Sequence, residues 1–99
     1  MLNITKNIHE PELTVVLTGR LDTVTAPELE KELKASLDGV TTLVIDMTAL
    51  DYISSAGLRV LLSAQKTMNK QGEMKVVHVG DTIMEIFEVT GFSDILTIE

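Results

Sequence analysis

The sequence predicts an α/β fold on a mixed β-sheet, in which an N-terminal hairpin is followed by alternating strands and helices. Three observations predict it. Two β-rich segments flank the turn-forming run His9-Glu10-Pro11-Glu12. Beyond them, stretches with helical apolar spacing alternate with short aliphatic runs. Finally, Thr42-Leu43-Val44-Ile45 has no polar alternation, as expected of a strand covered on both faces. The expected order is β-β-α-β-α-β-α-β, with right-handed crossovers between parallel neighbours and three or four helices covering the sheet.

Each element has a local reason. Ile4 and Ile8 mark a short first strand, and the β-branched run Leu13–Gly19 marks a second, paired with the first as a hairpin. Thr25-Ala26-Pro27-Glu28 announces the first helix, with Thr25 as N-cap, Pro27 in the first turn and Glu28 closing a capping box. Leu29, Leu33 and Leu37 give that helix one apolar stripe, and Gly39 closes it. After the strand at 42–45, the chain is expected to run through a loop to Ser54-Ser55. There a second helix begins, carrying Leu58, Leu61, Leu62 and Gln65 on one face and ending at Gly72. Met74–Val79 reads as a strand. Thr82 caps a third helix with Ile83, Ile86 and Phe87, which stops by Gly91, and Ile95–Ile98 reads as a last short strand.

Composition narrows the function. The chain has 99 residues, 44% of them hydrophobic and 23% charged, which predicts one globular domain over residues 1–99. Aromatics are 3%, so the core must be aliphatic. Apolar runs fall far short of the roughly 20 residues that cross a bilayer, so no membrane partner is expected. The first residues lack the layout of a signal peptide, and cysteine is absent, which together predict a cytoplasmic protein without disulfides or thiolate metal sites. A formal net charge of −7 repels phosphate backbones and argues against nucleic acid as a partner.

Enzyme chemistry finds no support. Ser54-Ser55-Ala56-Gly57 is preceded by Ile53 and is not a Gly-x-Ser-x-Gly elbow. His9 and His78 are the only imidazoles; neither has metal-ligand spacing, and valines around His78 suggest a structural role. Phosphate-binding glycine loops are missing, so no cofactor is expected. The serine pair itself has two readings. Serine is a favoured N-cap, stabilising a helix by about 1 kcal/mol, and this explains one of the two. The other stands where unpaired amides and the helix dipole tolerate a phosphate. Gly57 inside the first turn suggests a place where another protein's backbone approaches the hydroxyl. Gly19-Arg20-Leu21-Asp22-Thr23 is expected to emerge beside the serines, with Asp22 placed to accept a hydrogen bond from a serine hydroxyl.

The run Asp46–Leu58 resembles the Asp-Leu-Ser-x-Leu-x-x-Met-Asp-Ser-Ser-Gly-Leu pattern of STAS domains, specifically of anti-sigma-factor antagonists. Asp46, Leu50, Ile53, Ser55, Gly57 and Leu58 occupy the corresponding positions. Gly19-Arg20-Leu21-Asp22 with Ala26-Pro27 is similar to the family's entry to its first helix. The resemblance implies partner switching: the unphosphorylated protein binds an anti-sigma factor that is also a serine kinase and so frees a sigma factor. Phosphorylation separates the two, and a PP2C-type phosphatase reverses it. Ser55 matches the acceptor, with Ser54 as the alternative, because Ser54 stands where the family has an acid and Ala56 where it has a second hydroxyl. The implied docking residues are Asp22, Thr23, Ser54, Ser55, Ala56, Gly57, Leu58 and Arg59. The alternative implied role is a STAS scaffold or regulatory subunit of a larger transport or stress-sensing complex.

Overall fold

A computed structural model describes residues 2–99. The strands are β1 (Leu2–His9), β2 (Glu12–Leu21), β3 (Thr42–Ile53) and β4 (Glu73–Val77); the helices are α1 (Ala26–Ser36), α2 (Ser55–Gln71) and α3 (Asp81–Thr90), followed by a 3₁₀ turn at Phe92–Asp94. The sheet order is β1-β2-β3-β4. The hairpin β1–β2 is antiparallel, whereas β2–β3 and β3–β4 are parallel, joined through α1 and α2 as the alternation requires. With both crossovers in the same direction, one face of the sheet receives the helices.

Burial along the strands records that one-sidedness. Leu13, Val15 and Leu17 of β2, Leu43, Ile45 and Met47 of β3, and Met74 and Val76 of β4 are buried, while Thr14, Val16, Val44 and Lys75 between them are only half-buried. The expectation that Thr42–Ile45 is covered on both faces is therefore corrected. Its aliphatic alternate, Val44, meets cross-strand neighbours rather than a second helical layer. Against the covered face pack Leu29 and Leu33 of α1, Leu58, Leu61 and Met68 of α2, and Ile83 and Phe87 of α3, in one continuous apolar core.

β3 is much longer than expected. Its buried positions are Leu43, Ile45, Met47, Leu50 and Ile53, so the spacing changes from two to three after Met47. The register explains this. Val16 pairs with Asp46 but Thr18 with Ala49, and Gly19 pairs with Leu50 but Arg20 with Tyr52. Each step places one extra residue in β3, a bulge that bends the strand and re-aims its side chains. The first bulge leaves the Thr48 N–H outside the ladder, and Asp46 Oδ1 accepts it at 2.9 Å and the Thr48 hydroxyl at 2.6 Å.

Other expected boundaries shift. β4 stops at Val77 because His78 adopts a left-handed conformation with φ 57°. α3 is capped by Gly80 and starts at Asp81, so Thr82 lies inside it rather than capping it. The last expected strand is replaced by the 3₁₀ turn and a single parallel bridge between Val76 and Ile98. His78 is exposed, and its Nδ1 lies 3.1 Å from Asp46 Oδ2.

Candidate functional site

Because β2 and β3 are parallel, their C-terminal ends leave the sheet at the same edge, and the Ser54 N–H donates to the Leu21 carbonyl at 2.9 Å. The Gly19–Thr23 segment and the serine pair are thereby brought together, as their order along the chain implied. Gly19 has φ 102°, a conformation that favours glycine, at the second change of register.

The two serines differ. Ser54 is the N-cap of α2 in extended conformation, and its Oγ accepts the Gly57 N–H at 3.3 Å. Its backbone carbonyl accepts the first helical bond, from Leu58 N–H, at 3.0 Å. Ser55 is the first residue of the helix and is exposed. Its own N–H and that of Ala56 belong to the first turn and have no intrahelical acceptor. No acidic residue occupies that turn. Of two adjacent hydroxyls, one holds the helix end and the other faces solvent.

Asp22 does something other than expected. Its Oδ1 accepts the Val24 and Thr25 N–H groups, each at 3.0 Å. The Thr25 hydroxyl accepts the Asp22 N–H at 2.8 Å and donates to the Arg20 carbonyl at 2.8 Å. Thr25 is the N-cap of α1, but it makes no side-chain cap bond of the kind a capping box with Glu28 requires. The carboxylate is thus committed to the turn that starts α1 rather than to a serine hydroxyl. The Thr25 N–H does most to hold the Asp22 carboxyl below its ordinary value; partial desolvation opposes it, while the Val24 N–H, the Thr25 hydroxyl and Arg20 add to it.

Gly57 and Leu58 face inward. A Cβ added at Gly57 would lie 2.7 Å from Leu21 Cγ and 2.9 Å from Ile53 Cγ1, where ordinary carbon contacts are about 3.5–4.0 Å. The glycine lets α2 sit directly on the ends of β2 and β3, and it is buried rather than open to a visiting backbone. Leu58 is buried in the core. Of the residues implied for docking, Thr23, Ser55 and Arg59 are exposed, and Asp22, Ser54 and Ala56 are half-buried.

Two features of this edge escaped the sequence reading. The Arg20 guanidinium carbon lies 4.3 Å from the centroid of the Tyr52 ring, directly across the β2–β3 pair, with Asp22 Oδ2 3.8 Å from Arg20 Nε. Val24, at the tip of the turn, is 80% exposed, and Tyr52 is 38% exposed. The signal for the first was the chain's lone tyrosine beside an acidic residue, a pair that also fits ordinary turn chemistry. The edge therefore offers aromatic, aliphatic and arginine side chains around a solvent-facing hydroxyl, a composition typical of protein-docking patches. Among the described residues, no cluster of His, Cys, Asp or Glu is arranged to hold a metal ion.

A four-stranded mixed sheet layered with helices, with an exposed serine beginning the helix after its central parallel strand, defines a small α/β domain. Residues 3–99 match the STAS domain model, and the chain belongs to the STAS domain family. It is 36% identical to BtrV of Bordetella bronchiseptica, provisionally named an anti-sigma factor antagonist, over 98% of this chain and 85% of that protein. It is 32% identical to the anti-sigma-B factor antagonist of Listeria monocytogenes, over 99% of this chain and 90% of that protein. The crystal structure of an anti-sigma factor antagonist from Mycobacterium paratuberculosis superposes with a TM-score of 0.89 at 27% identity, covering 99% of this chain and 85% of that one. Among the described residues, no helix is long and apolar enough to cross a membrane.

Proposed function

We propose that this chain is an anti-sigma-factor antagonist switched by phosphorylation at Ser55. In its unmodified form it docks, through the edge formed by Thr23, Ser55, Ala56 and Arg59, on a cytoplasmic anti-sigma factor that is also a serine kinase, and the sigma factor is released. The kinase transfers the γ-phosphoryl group of ATP to Ser55 Oγ, with release of ADP and the hydroxyl proton. A PP2C-type phosphatase removes the phosphate. The chain itself performs no catalysis.

One observation carries the reading: Ser54 Oγ is used as the helix cap, while the Ser55 hydroxyl is exposed at the first helical position. The comparison with named antagonists supports the partner class. The physical consequence follows from charge. A phosphate brings about −1.5 to −2 charges and three acceptor oxygens. The free chain tolerates them, because the amides of the first turn are unpaired and the group remains in water. A partner packed over the hydroxyl would have to desolvate that charge, at several kcal/mol without a matched cation. Docking is therefore lost with little change of fold.

Incubation with candidate anti-sigma kinases and Mg-ATP, followed by intact-mass analysis and peptide mapping, tests the site. One added phosphoryl group on Ser55, absent from Ser55→Ala and retained in Ser54→Ala, is the expected result. A phosphate mapped to Ser54, or undiminished phosphorylation of Ser55→Ala, contradicts the assignment.

A further inference from the structure

We infer that Arg59 is the intrachain partner of the phosphate on Ser55, pairing with it across one turn of α2; this rests on the reading of Ser55 as the acceptor. The chain contains two arginines, Arg20 and Arg59, and both lie at the serine edge. They are not equivalent. Arg20 is held between the Tyr52 ring and the Asp22 carboxylate. Arg59 is exposed and takes part in no ion pair among the described residues.

Position favours the contact. Ser55 and Arg59 are separated by four residues in one helix, so they share a face with Cβ atoms about 6 Å apart. Helical side chains lean toward the N-terminus, which aims the Arg59 stem back over the first turn. The planar guanidinium donates two parallel N–H bonds to phosphate oxygens, a geometry lysine does not reproduce. Glu30 of α1 lines the same hollow as Arg59, together with Thr23, Pro27 and Ala56. Glu30 is itself 4.0 Å from Lys34 Nζ. A doubly charged phosphate on the same helix face outcompetes that carboxylate for the guanidinium.

Pairing changes the switch as well as the phosphate. The unmodified edge presents a neutral hydroxyl and an unengaged cation, whereas the phosphorylated edge presents an anion whose nearest cation is taken. The partner loses a contact and meets a charge in one event.

Phosphoserine installed at position 55 by genetic-code expansion, in the full chain, allows the pairing to be read by ³¹P NMR titration. The second ionisation of phosphoserine lies near pH 6, and an adjacent guanidinium lowers it. The midpoint in Arg59→Gln is expected roughly 0.5–1 unit above that of the unsubstituted phosphoprotein, with Arg59→Lys between them. Lys66→Gln removes the same charge farther along α2 and should leave the midpoint unchanged. Equal midpoints for Arg59→Gln and the unsubstituted form overturn the inference, as does an equal shift from Lys66→Gln. Because the phosphate is placed directly, this failure is distinct from failure of the kinase to choose Ser55.

Discussion

Gly57→Ala sets two effects of opposite sign against each other. Alanine within a helix is favoured over glycine by about 1 kcal/mol, so propensity alone predicts stabilisation. The surroundings predict the reverse. The new methyl would sit 2.7 Å from Leu21 Cγ, 2.9 Å from Ile53 Cγ1 and 3.0 Å from Leu21 Cδ2. Those contacts are shorter than ordinary carbon separations by about 0.5–1 Å or more. Neither side chain has room to retreat, since Leu21 is 0% and Ile53 3% exposed. Overpacking of this kind costs about 1–3 kcal/mol, so the net expectation is a loss of about 0–2 kcal/mol after the helix gain is subtracted. Urea unfolding of the single mutant, of Leu21→Ala and of the double mutant measures it. In the Leu21→Ala background the two contacts with Cγ and Cδ2 are gone, the vacated space lets Ile53 Cγ1 give way and the methyl partly fills a cavity, so Gly57→Ala should cost less than in wild type and become neutral or stabilising. Stabilisation of about 1 kcal/mol in the wild-type background, or equal effects in both backgrounds, would refute the packing argument.

The remaining predictions concern the serine pair and acid stability. Ser54→Ala removes the α2 cap and should lower stability by about 0.5–1 kcal/mol in urea unfolding, the low end of the usual range because the bond is 3.3 Å long. Ser55→Ala, at an exposed position, should lie within about 0.5 kcal/mol of wild type. Asp22 and Asp46 both ionise below the ordinary aspartate value of 3.8. For Asp46, burial pushes its carboxyl up, but the Thr48 hydroxyl and N–H and the His78 imidazole together outweigh it. A lowered folded value means that the contribution is present in full above 3.8 and is lost as pH falls through the folded value. The stability gap between wild type and Asp46→Ala should therefore be open at about pH 7 and narrow at about pH 3, read as urea midpoints. An unchanged gap contradicts the assigned role of the carboxylate.

Most of the architecture could be read from local chemistry, and the failures have physical causes. α1 was legible because Pro27 and the Leu29-Leu33-Leu37 stripe agree, and α2 because Ser54, its apolar face and Gly72 agree. β3 was cut short because its two bulges change the apolar spacing from two to three after Met47, which removes the period that identifies a strand. The coverage of Val44 was misjudged because an aliphatic residue on an open sheet face looks the same in sequence as one beneath a helix. The final strand failed for a tertiary reason: only Ile98 bridges β4, and the rest of the segment follows the turn after Gly91. At the candidate site, spacing placed Ser55 at a helix start beside the Gly19–Thr23 turn, but it did not separate outward from inward side chains. Gly57 reads as permissive in sequence and proves to be a packing requirement, while Asp22 serves its own turn.

Calorimetric titration of a candidate anti-sigma kinase with unmodified and Ser55-phosphorylated protein tests the proposed switch most directly. Packing a partner over a phosphorylated Ser55 desolvates the phosphate and takes Arg59 from the partner, and should weaken binding by at least about 100-fold, equivalent to roughly 2.7 kcal/mol. Ser55→Asp should fall in the same direction, and Ser55→Ala should bind like wild type. Equal affinity of the phosphorylated and unmodified forms would contradict a switch at this serine.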